Sequence, residues 1–238
     1  MKIFLAIPCA DATVSIHTMS SVLRIQSGLA KQGIGISFDV FNFAEISVAR
    51  NILAARFIKS DCTHLLFCDD DISFEPQVIG DLISSQAPFV SAGCVKREFD
   101  LDRYAAARKK LKSGPKDDEN RREALKAATS LNYVPVKPVS RKGDFIEVIQ
   151  TGFGLTLVQR DVFLMMQTAG VVTTQAYGKR WADGDVYGYF DRIHIEDVGS
   201  TLPEDYSFCH RWRRCGGQVW VLEGAHTRHH GEFAYRNW

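Results

Sequence analysis

Apolar positions in this chain alternate between short continuous runs and longer stretches spaced for one face of a helix. Lys2 to Ile7 is a nearly unbroken apolar run that predicts a buried strand. Ile16, Met19, Val22, Leu23 and Leu29 then fall at helical spacing across Ile16 to Lys31, before Gly33. Ile36 to Phe41 predicts a second strand, Val48 to Lys59 a helix turning Ile52, Ala55 and Ile58 inward, and His64 to Cys68 a short buried strand. Pro76 suits the first turn of a helix over Gln77 to Ser85, and Phe89 to Ala92 reads as another strand. Strands and helices in this order predict an α/β fold, with a mostly parallel central sheet flanked by helices.

Between Phe99 and Gly143 the pattern changes. Two charged, alanine-rich stretches, Tyr104 to Lys112 and Asn120 to Thr129, flank Ser113-Gly114-Pro115, and a proline-bearing segment from Val134 to Val139 follows. This predicts an inserted helical hairpin within 99–143, either a solvated excursion or a lid or acceptor-binding element. Further on, Phe145 to Gln150 and Leu155 to Gln159 predict strands around Thr151-Gly152-Phe153-Gly154, and a short helix begins at Asp161. Glu204 to Cys215 is amphipathic, with Phe208, Cys209 and Trp212 as its buried stripe. Gly216-Gly217 stops it, and Gln218 to Leu222 makes a last strand.

A chain of 238 residues can bury one sizeable core, so 1–238 is expected to form a single domain. The net charge of +1 and pI near 7.6 exclude a polybasic nucleic-acid binder and an acidic disordered tail, so any polyanion contact must be local. The 6 cysteines are scattered without zinc-site spacing and read as small buried residues of a reducing compartment. Pro8 interrupts the apolar start just before Cys9, which favours a core strand over a leader, and no run approaches the length of a spanning helix. A soluble cytoplasmic protein is the expectation.

Three segments can carry chemistry. Asp69-Asp70-Asp71 follows the strand His64 to Cys68 directly, at the place where α/β sheets put their ligands. Adjacent carboxylates repel one another, and manganese or magnesium commonly bridges such groups to substrate phosphates. In an extended segment Asp69 and Asp71 would share one side and Asp70 face the other. Glu204 and Asp205 open the amphipathic helix, where they either complement its dipole or supply a general base, Asp205 being preferred. His226-Thr227-Arg228-His229-His230-Gly231 follows the last strand; its imidazoles suit a manganese-like ion and Arg228 a phosphate, although a histidine cluster can also be a surface loop. Ala49-Arg50-Asn51 can hold a base or phosphate, or lie solvated. Thr151 to Gly154 can be a turn where backbone approaches a ligand.

Taken in order, these segments resemble the A-type glycosyltransferase fold (GT-A), and in particular the inverting, family-two-like nucleotide-sugar transferases, over most of the chain. The matching pieces are the first strand and helix, Ala49-Arg50-Asn51, a "DxD" element in Phe67 to Ile72, Thr151 to Gly154 and Pro203-Glu204-Asp205-Tyr206. His229 to Tyr235 looks like an HxGxxxY ending. The resemblance implies a metal-dependent transferase that uses Mn2+ or Mg2+ and moves a sugar from a nucleoside-diphosphate sugar to an unnamed acceptor hydroxyl, with inversion. Asp69 and Asp71 would serve the ribose and the metal, with Asp70 at the variable place beside the donor. His229 would complete the metal's coordination, with His226 and His230 as rivals. Asp205, beside Glu204, would be the base, and Pro8, Cys9, Arg50, Asn51 and Gly152 would border the nucleotide. The stretch from Phe99 to Gly143 and the additional histidines depart from the pattern. Two alternatives stay open: a nucleotidyltransferase, although the loop Pro8 to Ser15 has no lysine or arginine for a triphosphate, and a non-catalytic nucleotide-sugar or glycan-binding module.

Overall fold

The structure is a computed structural model that describes residues 1–111, 117–176 and 180–231. Its first half alternates strand and helix: β1 (Lys2–Cys9), α1 (Ile16–Lys31), β2 (Gly35–Asn42), α2 (Ile46–Lys59), β3 (His64–Cys68), β4 (Ile72–Phe74), α3 (Pro76–Ser84) and β5 (Phe89–Ala92). Then come α4 (Leu101–Lys110), α5 (Asp117–Ala128), β6 (Tyr133–Pro135), β7 (Arg141–Lys142), β8 (Phe145–Thr151), β9 (Leu155–Gln159) and α6 (Arg160–Thr168). The chain continues through β10 (Thr174–Gln175), β11 (Val186–Tyr187), β12 (Ile193–Ile195), β13 (Ser200–Leu202), α7 (Glu204–Arg214), β14 (Val219–Leu222) and β15 (Thr227–His229).

The central sheet has the order β2-β1-β3-β9-β5-β14-β8-β6, with β7 also on β8. β1, β2, β3, β5 and β14 run one way. β9 lies between β3 and β5 antiparallel to both, and β8 is antiparallel to β14. The sheet is therefore mixed, with its parallel strands separated by a reversed one, a placement that hydrophobic pattern alone does not reveal.

Both faces are buried, which explains why the strands read as continuous apolar runs. In β1, Ile3, Leu5 and Ile7 join Leu66, Val90 and Leu157 under α1 and α3. Phe4 and Ala6 face the other side, where α2, α6 and α7 pack with Phe67, Phe89 and Val158. Helix α2 is buried nearly all round, from Ser47 to Phe57, as befits a helix enclosed by neighbours rather than one resting on a surface. Under it, Phe67, Phe153, Phe190 and Phe208 meet edge-on or stacked at ring separations of 4.8–5.7 Å.

Helices α4 and α5 pack on each other, and α4 has no buried residue. Ser113-Gly114-Pro115 lies outside the described residues, as do Tyr235 and the rest of 232–238. Among the described residues no helix is long and apolar enough to cross a membrane. All six cysteines are free, and all but Cys215 are buried.

Candidate metal and transfer site

β3 carries the buried residues Leu65, Leu66, Phe67 and Cys68 to the carboxyl edge of the sheet, where the chain turns through Asp69-Asp70-Asp71 into β4. The turn is fixed by its backbone. Asp69 N–H donates to the Gly154 carbonyl (2.9 Å), and the Asp70 carbonyl accepts from Ser15 N–H (2.8 Å) and the Thr18 hydroxyl (3.0 Å). Because this is a turn and not an extended segment, Asp69 and Asp71 take different partners. Asp69 Oδ1 accepts from Arg50 Nη2 at 2.8 Å, whereas Asp71 Oδ2 accepts from Arg97 Nη1 at 2.9 Å. Burial, reinforced by Asp71 and Asp69, pushes the Asp70 carboxyl up to about 6.

The short strand β15 pairs antiparallel with β4, setting His229 opposite Ile72, and His230 N–H donates to the Asp71 carbonyl at 2.8 Å. His229 Nε2 lies 3.2 Å from Asp71 Oδ1, and its Nδ1 lies 2.9 Å from the Val95 carbonyl. A carbonyl only accepts, so Nδ1 carries the hydrogen. Nε2 then faces a carboxylate, which also only accepts, and a proton or a cation must lie between them. With a proton there, the hydrogen bond to Asp71 raises the His229 pKa against the effect of burial. Burial would raise the Asp71 carboxyl, but His229 and Arg97 hold it below the usual carboxylate range.

A second acidic group converges from α7. Pro203 precedes the helix and Glu204 and Asp205 occupy its first turn, where the dipole favours carboxylates. Arg50 of α2 joins the two acidic segments: one guanidinium donates to Asp69 through Nη2 and to Glu204 Oε1 through Nη1 at 2.7 Å, with only 4% of its side chain exposed. Burial opposes its charge, but Asp69, Glu204 and Asp205 outweigh that and raise its pKa. The guanidinium carbon lies 5.5 Å from the Phe153 ring centre and 5.9 Å from that of Phe190, and its Nε is a buried donor with no hydrogen-bond partner. Burial, then Glu204, push the Asp205 carboxyl up to about 6, with Arg50 opposing; its Oδ1 accepts from Tyr206 N–H at 2.7 Å.

Other residues singled out from the sequence hold this framework together. Asn51 is fully buried; its amide donates to Asp191 Oδ1 (2.8 Å) and accepts from Phe190 N–H (2.9 Å), so it braces the loop after β11. Arg50 likewise spends two of its nitrogens on carboxylates. Pro8 and Cys9 end β1 at the same carboxyl edge, both buried, and burial followed by Asp70 raises the Cys9 thiol. Gly152 approaches a side chain: a Cβ there would collide with the Asn132 amide, and Gly152 N–H donates to the Asn132 carbonyl at 2.8 Å. G152A is therefore expected to cost about 1–3 kcal/mol in urea unfolding, the usual range for overpacking.

Sequence reasoning missed Arg97 and Asn132, and named Tyr206 only as part of the segment Pro203 to Tyr206, with no role. Arg97 reaches Asp71 from just before the 99–143 stretch, and Asn132, within it, accepts from the Tyr206 hydroxyl at 3.0 Å. His226 is exposed and the His230 ring bonds Ser73, so of the three histidines His229 is the one whose ring meets the Asp71 carboxylate.

No family model and no curated protein matches this chain. It is similar in structure to the A197 protein of STIV, with 14% identity over 98% of this chain and 87% of that one, and a TM-score of 0.47. It is also similar to Drosophila β-1,4-galactosyltransferase 7, in a mutant form complexed with manganese, UDP-Gal and xylobiose, with 15% identity over 97% of this chain and 71% of that one, and a TM-score of 0.46. A third likeness is to 4-diphosphocytidyl-2C-methyl-D-erythritol synthase from Anaerococcus prevotii, with 10% identity over 89% of this chain and 96% of that one, and a TM-score of 0.34. Likenesses at this level do not fix an activity.

Proposed function

We propose that this protein is a metal-dependent glycosyltransferase that takes a sugar from a nucleoside-diphosphate donor and passes it to an acceptor hydroxyl. The observation that carries the reading is the pair Asp71–His229, two acceptor atoms 3.2 Å apart at the carboxyl edge of the sheet, joined through the acidic turn and Arg50 to a second carboxylate pair on α7. Among the described residues no group of three or more histidine, cysteine or acidic side chains could hold an ion alone. The donor set instead fits a manganese or magnesium ion that Asp71 and His229 would hold together with a bound diphosphate donor. The contact from His229 Nδ1 to the Val95 carbonyl is the kind of support that fixes a ligating ring. When bound, such an ion supplies positive charge beside the departing diphosphate.

The chain's own residues do the rest. Asp205 takes the proton from the acceptor hydroxyl, and burial raises its pKa to about 6, closer to the working pH at which a general base is most effective. Glu204, tied to Arg50, keeps a second carboxylate beside it. Asp69, held by the same guanidinium, borders the donor. If Asp205 lies opposite the leaving group, a single displacement inverts the anomeric carbon.

Sugar-nucleotide turnover measured from pH 4 to 9 with manganese tests this reading. A base must be ionised to work, so kcat/KM should fall about tenfold per pH unit below a bend at about 6. A limb placed near 4, where an unperturbed aspartate titrates at about 3.9, would remove Asp205 from the role.

A further inference from the structure

The β4–β15 ribbon has two faces, because neighbouring residues of a strand point to opposite sides. His229 uses one face to meet Asp71. Arg228 and Ser73, directly paired across the ribbon, belong to the other. On that side His230 Nε2 lies 2.7 Å from Ser73 Oγ, and its ring stacks on His17 of α1 at 4.3 Å and 11°. Together with Arg24, these side chains line a pocket of about 130 Å³. That is ample room for water and for a small tetrahedral oxyanion.

The lining carries two guanidiniums, Arg24 and Arg228, against one carboxylate, Glu75, and is rich in donors. Glu75, the carboxylate of the lining, lies 3.6 Å from Arg24, and Arg228 and the imidazoles of His17, His226 and His230 face the same small volume as the Ser73 hydroxyl. A local concentration of guanidinium, imidazole and hydroxyl stands out in a chain whose overall charge is only +1. Such groups bind phosphoryl oxygens through charge-assisted hydrogen bonds.

The structure assigns to this pocket a phosphoryl-binding site, separate from the Asp71–His229 pair, in which Arg228, His17 and Ser73 contact the oxygens of a phosphate or phosphomonoester. The site does not depend on the transferase reading. Its ligand is either a phosphate of the donor or a separate phosphorylated molecule.

Titration calorimetry with inorganic phosphate, in EDTA so that no metal contributes, tests the site. Binding with millimolar or lower Kd is expected in the native protein and in Asp71→Ala, weakened at least tenfold in R228A and in H17A. Both substituted residues are exposed, so melting temperature should be unchanged and serves as the folding control. The same variants titrated with uridine diphosphate separate the sources. A matching loss makes the donor's phosphate the ligand, and a loss confined to inorganic phosphate makes it a separate molecule; both uphold the pocket. No heat up to 10 mM phosphate, roughly the weak end of specific binding at 1 mM and above, would overturn the assignment, as would equal binding in native protein, R228A and H17A, or loss of binding in Asp71→Ala.

Discussion

Asp205→Asn is expected to lower kcat by about 10²–10⁴-fold, the usual contribution of a positioned general base, while the protein still folds and still binds its donor. The amide has nearly the shape of the carboxylate and its oxygen can go on accepting from Tyr206 N–H, so the start of α7 keeps its geometry. What is lost is the ability to accept a proton. Glu204→Gln provides the contrast: it breaks the ion pair with Arg50 and so disturbs the position of the site before its chemistry. Stopped-time assays with saturating donor, read beside thermal shifts of the same samples, distinguish the two. A D205N protein with native kcat would place the base elsewhere.

The second large effect belongs to Arg50. Removing one partner from a buried ion pair leaves an uncompensated charge and costs about 3–5 kcal/mol, and here a single guanidinium serves two carboxylates. Arg50→Met keeps most of the length of the side chain but strands Asp69 and Glu204 together, so a large drop in the urea midpoint is expected together with loss of turnover. Arg50→Lys retains the charge but not the planar fork that reaches both oxygens, and should fall between the two. Native stability in R50M would mean that the two acidic segments are held by something other than this bridge.

Arg50 also shows where sequence reading stops. From the chain alone it is a cation near the start of an amphipathic stretch, for which solvent or phosphate are the natural partners. That it is buried follows from α2 being enclosed by β1, β2 and β11, with Glu204 of α7 and Phe190 of the loop after β11 closing on the guanidinium, which no local pattern encodes. The regular elements were more legible. The strand His64–Cys68 and the helix Ile16–Lys31 have the bounds that their apolar spacing predicts, because burial of those very residues is what forms them. The acidic triplet's place after β3 was legible for the same reason. Its geometry was not: spacing suggested Asp69 and Asp71 on one side, but the chain turns there, with Ile72 N–H returning to the Asp69 carbonyl at 3.3 Å, and the two carboxylates take different partners, Arg50 and Arg97.

The β4–β15 ribbon escaped for a related reason. Its strands are three residues each, too short for periodicity to register, and they exist only because segments far apart in the chain meet. The histidine cluster was visible in composition, yet only the ribbon's register sends His229 to Asp71 while Arg228 turns away. Likewise, Thr151 to Gly154 looked like a place for a ligand to approach backbone. The close approach at Gly152 is real, but the group that comes near is Asn132.

The most direct test of the central claim is a combined thermal-shift and hydrolysis screen of common sugar nucleotides, with and without manganese, on the native protein and on Asp71→Ala. The account predicts that at least one donor stabilises the native protein and is turned over only with metal, and that D71A loses both effects while remaining folded. If folded native protein with manganese neither binds nor hydrolyses any sugar nucleotide, or if D71A behaves like the native protein, the transferase reading is contradicted.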